Sequence, residues 1–298
     1  MTRVALATDG TDWHARALLA AFAALGAKVV RWRLEACGFA TGRRTGLDLP
    51  GCADGLPDAL PDALPDAVLV RAIAGGGFEE VTRRLGVLHA LGALGVPVVN
   101  DARAIERCVD KSMTSFLLAR AGIATPESWT VEGLPRARAV VAAACGALVL
   151  KPLFGAQGRG LRLIARPEEL PPAESVAGVY HLQRHVPPAG EGFRDHRVFV
   201  CAGEVVAAMT RRGAGWITNI KQGGVPEPLR PERDLAELAL RAAAAVGAVY
   251  AGVDLIRDGA GCPWVLEVNS MPAWRGLQRV TNVNVALRVA AAVVAAAG

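Results

Sequence analysis

Three groups of residues in this chain have types and spacings that could do chemistry. In KPLFGAQGRG, Lys151 precedes Gly155, Gly158 and Gly160. Glycines let a backbone come close to a ligand and aim its N–H groups at it, and a fixed ammonium beside them suits a polyphosphate. No GxxxxGK followed by Ser or Thr occurs in the chain, and this segment joins two predicted strands instead of opening a helix. It reads as a flap over phosphates; taken alone it also fits a hairpin turn with a surface lysine. The second group is Asp254 in YAGVDLIR with Glu267 and Asn269 in WVLEVN. Residues two apart on a strand share a face, and a turn around Asp258-Gly259 can bring Asp254 beside them. Two carboxylates and an amide oxygen on apolar strands need a neutralising partner, and an all-oxygen set suits Mg²⁺ or Mn²⁺. The alternative is pairing with arginines such as Arg257 or Arg275. The third group holds Asp195 and Arg197 in FRDHRVFV, then Arg211, Arg212, Asn219 and Lys221. It could grip a carboxylate or stabilise charge on a transferring phosphoryl group, or form a solvated basic edge.

These residues need elements to position them. The first hundred residues alternate strand and helix: RVALATDG, then WHARALLAAFAALG closed by Gly26, then AKVVRWRLE, AVLVRAI, a glycine turn with helix to LGALG, and VPVVN. This predicts an open α/β domain over residues 1–99. Leu-Pro-Asp-Ala repeats three times between them, and proline every fourth residue forbids a helix or central strand there. Residues 101–122 read as one helical stretch ended by Gly122. A central α+β unit over 100–176 carries the glycine flap. A second, over 177–298, has mainly antiparallel strands around the helix ERDLAELALRAAAAVG and ends in an Ala-rich packing helix.

Composition bounds the function classes. With 298 residues, 52% apolar and 20% charged, the chain has ample material for a core, which excludes a disordered chain. No run is long enough to span a bilayer, and Asp9 interrupts any signal core, so a cytoplasmic protein without membrane contact is expected. A net charge of +5 without a basic block, and 5% aromatics, give little ground for a nucleic-acid partner. Six cysteines without CxxC spacing read as reduced thiols, and no histidine pair has metal spacing. The segment GGGFEE lacks the third glycine of GxGxxG, which argues against a dinucleotide-dependent oxidoreductase.

The order Lys111, Lys151, glycine loop, Asp195-x-Arg197, Asp254, Glu267-x-Asn269 resembles that of ATP-grasp enzymes. More narrowly, nearly the whole chain resembles the RimK-type ligases, which add glutamate or a related amino acid to a carboxylate. The resemblance runs through VVNDARAIERCVDKSMTSFLLARAGI, LVLKPLFGAQGRG, DHRVFVCAGEVVAAMTRR, TNIKQGG, and AGVDLIR through LEVNSMP. It implies an ATP-grasp fold, with ATP between two α+β subdomains behind an N-terminal α/β domain. Lys111 and Lys151 would contact the phosphates, with Gly155, Gln157 and Gly158 in the covering loop. Gln183, Arg184, His185 and Val186 would border adenine, Asp195 the ribose side, and Thr218 and Asn219 would complete the ATP site. Asp254, Glu267 and Asn269 would hold the metal, expected as two Mg²⁺ or Mn²⁺ ions, and Arg197 and Arg212 would stabilise an acyl phosphate. Three positions depart from the family's habit: Arg184 stands where relatives usually carry glutamate, and Ile217 and Gln222 stand at frequent arginines. The expected partners are a small-molecule carboxylate acceptor and L-glutamate. A homo-oligomer is allowed but not specified. The segment VLVRAIAGGGFEEVTRRLGVLHAL resembles relatives that act on tetrahydromethanopterin, which suggests a pterin or methylofuran coenzyme. Arg71 and the turn Gly75-Gly76-Gly77, with Arg211 and Lys221, would then face the substrate. Modification of a protein C-terminus, ligation to a carrier protein and a catalytically silent nucleotide sensor are the competing readings.

Overall fold

Short apolar strands joined by amphipathic helices pair in parallel, because each helix carries the chain back to the same edge. The computed structural model, which describes residues 1–50, 64–155, 158–187, 190 and 192–298, has this arrangement in its first third. β1 (Arg3–Ala7) leads through α1 (Trp13–Ala24) to β2 (Lys28–Trp32). A small antiparallel pair, β3 (Gly38–Phe39) and β4 (Leu47–Asp48), precedes β5 (Ala67–Val70), α2 (Phe78–Ala93) and β6 (Val98–Val99). The main strands lie in the order β2-β1-β5-β6, all parallel. Leu6 and Leu69 pack on the α1 face, while Ala7 and Val70 pack on the α2 face, so β5 is buried on both sides. Of the Leu-Pro-Asp-Ala repeat, residues 56–63 lie outside the described residues.

The helical stretch after Asn100 divides in two, α3 (Ala102–Val109) and α4 (Lys111–Arg120). Asp110 is the reason. Its carboxylate accepts from the backbone N–H groups of Ser112 and Met113, at 2.8 and 3.2 Å, and a side chain so engaged caps a new helix instead of continuing the old one. The break makes Lys111 the first residue of α4. Next come β7 (Ser128–Glu132), α5 (Leu134–Ala143), β8 (Leu148–Lys151), β9 (Arg162–Ile164) and β10 (Val179–Arg184). These strands form one antiparallel sheet, β7-β10-β8-β9. The sequence boundary at 176/177 therefore needs correction: β10 lies in the central sheet, held by backbone pairing to both β7 and β8.

The last sheet is β13-β12-β11-β14-β15, antiparallel throughout, built from β11 (Phe193–Cys201), β12 (Glu204–Gly213), β13 (Val225–Leu229), β14 (Tyr250–Arg257) and β15 (Pro263–Asn269). α6 (Arg233–Val246) buries Leu235, Ala239 and Val246 against it. β13 carries two prolines and escapes sequence detection; it is tolerated because it sits at an edge. After α7 (Arg275–Gln278), α8 (Val285–Ala296) is the expected packing helix, but it covers α1 and the first sheet, burying Val285, Val289 and Val293 there. No helix among the described residues is long and apolar enough to cross a membrane.

The first and last sheets are stitched by Asn100, which is fully buried. Its Nδ2 donates to the carbonyls of Tyr250 (2.8 Å) and Ser270 (2.6 Å), and its Oδ1 accepts from the N–H groups of Val249 (2.7 Å) and Tyr250 (3.2 Å). Removing the amide strands buried backbone groups. Asn100→Ala is expected to lower the unfolding free energy by about 3 kcal/mol, read as a shift of the urea midpoint. A loss below about 1 kcal/mol would mean the stitch is dispensable.

Candidate functional site

Register places the charged residues of the last sheet in one row. Asp195 on β11 pairs with Arg211 on β12, Arg197 on β11 with Asp254 on β14, and Asp254 with Glu267 on β15. Asp195 and Arg197 are two apart, so alternation turns them to the same face. The guanidinium of Arg197 grips Asp254 through two bonds, Nε to Oδ1 and Nη2 to Oδ2, the latter at 2.7 Å. Arg211 grips Asp195 at 2.7 and 2.5 Å and reaches Asp254 at 3.1 Å. All four side chains are buried. Burial alone would raise the Asp254 pKa, but the charges of Arg197 and Arg211 outweigh it and hold the carboxyl below its ordinary value. Burial likewise opposes the charge on Arg211, and Asp254 and Asp195 overcome it.

Glu267, at the end of this row, is half-buried, and no described residue offers its carboxylate a hydrogen bond or ion pair. Asn269 donates from Nδ2 to the Gly252 carbonyl at 3.3 Å, which leaves its Oδ1 unengaged among the described residues. The pairing of Asp254 with arginines, left open by the sequence, does occur, through Arg197 and Arg211; Arg257 is taken by Asp234 and Glu232.

The facing wall belongs to the central sheet. The Lys151 ammonium donates to Gln183 Oε1 at 2.6 Å, and Lys111 donates to the carbonyls of Gly155 (2.7 Å) and Leu153 (3.3 Å) in the glycine turn. Burial lowers the pKa of both lysines. Glu267 pulls each back up, and in Lys151 the neighbouring Lys111 charge adds to the lowering. Gly158 is at φ +71°, and a Cβ there would meet Asn219 Oδ1 at 2.4 Å, so only glycine lets the turn lie on the Thr218-Asn219 segment.

Between these walls lies a cleft with about 960 Å³ of non-protein space, open solvent at its mouth included. It collects most of the expected residues: Lys111, Lys151, Gly155, Gly158, Gln183, Arg184, His185, Val186, Asp195, Arg211, Thr218, Asn219, Asp254 and Glu267. The Arg184 guanidinium bonds Glu127 (2.5 Å) and the Cys145 carbonyl (3.3 Å), so its charge is answered by its own sheet. Five of the described residues do not line it: Arg197 lies behind Asp254, Asn269 is turned to the Gly252 carbonyl, and Arg212, Lys221 and Arg71 lie further off. Arg212 is the neighbour of the buried Arg211, so alternation turns it outward, where it pairs with Glu227 at 2.7 Å on the exposed face. Lys221 is exposed on the turn Ile220–Gln222, and Arg71 lies beyond the cleft, under Met271. Gln157 lies outside the described residues. Sequence reasoning missed the apolar part of the lining, Val149, Leu161, Trp216, Ile256 and Leu266. Period-two alternation of β8 marks Val149 and Lys151 as sharing a face; for Leu266 no such signal exists, because a bulge at Asp254/Leu255 shifts the pairing.

Among the described residues no group of three or more Cys, His, Asp and Glu gathers at metal-binding distance. The donor set fits a hard divalent cation nonetheless: an unpartnered Glu267 carboxylate, the unengaged Asn269 Oδ1, and the lone pairs of Asp254 that the arginines leave. Such an ion would need phosphate oxygens and water for the rest of its shell.

Comparison with known proteins bears on this geometry. Residues 108–293 match the RimK-like ATP-grasp domain. A tetrahydromethanopterin:alpha-L-glutamate ligase of Methanococcus maripaludis is 39% identical over 197 residues, 64% of this chain and 67% of that one. A probable alpha-L-glutamate ligase of Thioalkalivibrio sulfidiphilus is 34% identical over 232 residues, 72% and 75% of the two chains. Among solved structures, the ATP-grasp ligase PsnB in complex with a minimal precursor, Mg and ADP superposes with a TM-score of 0.71 at 20% identity, covering 99% of this chain and 98% of that one.

Removing one partner from a buried ion pair strands the other charge. Arg197→Met is therefore expected to destabilise the free protein by about 3 kcal/mol, while Glu267→Gln, which breaks no contact, stays within about 1 kcal/mol of the parent. Equal urea midpoints for the two variants would contradict the partition of the row into a structural and a ligand-facing part.

Proposed function

The chain belongs to the RimK-like ATP-grasp family, and from that premise we propose that it joins L-glutamate through an amide bond to the carboxylate of a small coenzyme or its precursor, of the tetrahydromethanopterin or methylofuran type, with cleavage of ATP to ADP and phosphate. It is an ATP-dependent, amide-forming ligase. The observation that carries the reading is the cleft itself: two buried ammonium groups and a glycine turn on one wall face the Glu267 carboxylate, unpartnered among the described residues, on the other. That polarity suits a metal-bridged polyphosphate.

The steps follow from the groups present. An oxygen of the acceptor carboxylate attacks the γ-phosphorus of ATP, and the bond to the β-phosphate oxygen breaks to release ADP. Lys111 and Lys151 hold phosphate oxygens as charge redistributes, the first by exchanging the Leu153 and Gly155 carbonyls for them. Mg²⁺ or Mn²⁺, bound by Glu267 and Asn269 with Asp254, would shield the same oxygens; two ions are expected. The acyl phosphate is then attacked by the amine of glutamate, which loses a proton as phosphate departs. Arg211 and Arg197, balanced by Asp195 and Asp254, keep the floor of the site rigid. Arg211 takes the place expected of Arg212. The turn through Gly155 and Gly158 would exclude water from the acyl phosphate.

No protein nucleophile is required. Burial raises the thiol of Cys108 to about 12 and that of Cys201 to about 11, so both stay protonated at neutral pH. The acceptor type rests on the pterin-ligase name of the Methanococcus relative and on the segment 68–91. A peptide carboxylate is the second reading, favoured by the precursor held in PsnB.

Glutamate-dependent ADP release, measured with Mg²⁺ or Mn²⁺, separates these. A reduced pterin coenzyme, a tyramine-type furan precursor and a Glu-terminated peptide serve as acceptors. The coenzyme reading expects release with the pterin or the furan precursor and a product heavier by one glutamyl residue. Release with the peptide alone overturns it. Glu267→Gln should keep its fold yet lose at least about a thousandfold in rate; near-parental ADP formation would remove Glu267 from the metal site.

A further inference from the structure

Among the described residues, three buried side-chain nitrogens lack a hydrogen-bond partner: Arg71 Nε, Arg84 Nε and Trp274 Nε1. All three are donors, and they cluster outside the ATP cleft, at the C-terminal edge of the first sheet. The Arg71 guanidinium lies 5.2 Å from the centre of the Trp274 ring. Arg84 donates to the carbonyls of Ala74 (2.7 Å) and Gly75 (3.0 Å), bracing the exposed glycine turn that follows Arg71.

The topology makes this edge a crevice. β1 connects through α1 to its neighbour β2 on one side, and β5 connects through α2 to β6 on the other. The helices pack on opposite faces, so the two connections diverge beyond Ala7 and Val70. Ligands of open parallel sheets bind at such a switch point, outside the carboxyl ends of the strands. Most of the charge there is already answered: Arg84 pairs with Glu80 at 3.2 Å and Arg33 with Glu35 at 2.5 Å, while Arg71, in whose field Asp9 and Asp12 lie, has no carboxylate at ion-pair distance among the described residues. Both helices also begin here, with Asp12 and Gly77 as caps.

Trp274 is held for such a role. The His14 ring accepts at Nε2 from the backbone N–H groups of Trp274 (3.1 Å) and Arg275 (3.2 Å). Its proton therefore sits on Nδ1, donated to Asp12 at 3.0 Å. Burial and the Arg71 charge depress the His14 pKa, which keeps this neutral tautomer.

The crevice adjoins the reaction site. Arg71 donates from Nη1 to the Met271 carbonyl at 3.2 Å, and Met271 is two residues beyond Asn269, on the order of 7 Å along the chain. We propose that this crevice anchors a carboxylate of the acceptor on the Arg71 guanidinium and the Trp274 indole N–H, so that the acceptor carries at least two acidic groups, one anchored here and one entering the ATP cleft. A forked guanidinium and an indole donor match the paired oxygens of a carboxylate, and the unmet donors of Arg71 and Trp274 are then explained by one ligand. Arg84 is a positioning residue, acting through the turn. The assignment of the ligand as acceptor rests on the ligase reading; the site itself does not.

Glutarate, a simple dicarboxylate, is the probe. With six tryptophans in the chain, the indole N–H resonances of ¹⁵N-labelled protein are few, and Trp274→Phe identifies the one that matters. Glutarate should shift that resonance saturably, and the neutral diamide should not. Arg71→Met should abolish the shift while AMPPNP still binds. If Arg71→Met does not fold, Arg71→Lys, which keeps charge but loses the fork, should weaken glutarate at least about threefold. An unmoved Trp274 resonance, or an equal shift in the Arg71 variants, overturns the proposal. With whichever acceptor turns over, Arg71→Met should raise its KM about tenfold or more and leave the KM for ATP within about twofold. An unchanged acceptor KM overturns the anchor while leaving the ligase reading intact. Absence of turnover with every acceptor defeats the ligase reading, and the glutarate titration still decides the crevice.

Discussion

Four charges buried on one face of the last sheet are tolerable only as a closed set, and much of the site depends on that closure. Arg197, Asp254, Arg211 and Asp195 alternate in sign across β14, β11 and β12, each guanidinium forked on a carboxylate. In a low-dielectric interior any one of them alone would be forced toward neutrality or would open the sheet. Together they make a rigid, charged floor. Their mutual satisfaction leaves Glu267, next along the same row and without a partner among the described residues, to meet a ligand.

The opposite wall has the complementary arrangement. Lys151 and Lys111 are desolvated, and in the free protein their hydrogen bonds go to an amide oxygen and to carbonyls of the glycine turn. Those neutral acceptors are weaker partners for an ammonium than phosphate oxygens. The cleft is thus polarised before any ligand arrives, positive on the central sheet and negative at Glu267, with apolar Val149, Ile256 and Leu266 completing the lining. Asn100 links this assembly to the first sheet, whose carboxyl edge lies beside the end of β15.

Much of the site was legible in the residues, because its parts are local. Glu267 and Asn269 share a face by strand alternation, and the glycine turn after Lys151 is visible as spacing. The central sheet was less so. β10 reads as the start of a new unit, since a strand does not announce which neighbour it will pair with, and Gln183 and Arg184 moved with it. The choice between Arg211 and Arg212 was equally closed to sequence. Adjacent residues on a strand face opposite ways, and only the register against Asp195 says which is inward.

The sequence by itself determined the element types, the alternation of an α/β unit with α+β units, and the residues capable of phosphate and metal chemistry, because these follow from short-range periodicity and side-chain chemistry. Tertiary structure alone decided which charges neutralise one another and which remain for a ligand. It also decided that Asp110 would begin a new helix with Lys111 in the cleft, and that the carboxyl edge of β5 would meet Trp274, some two hundred residues later in the chain. Pairing partners and burial are set by contacts between distant segments, and no local pattern in the sequence encodes them.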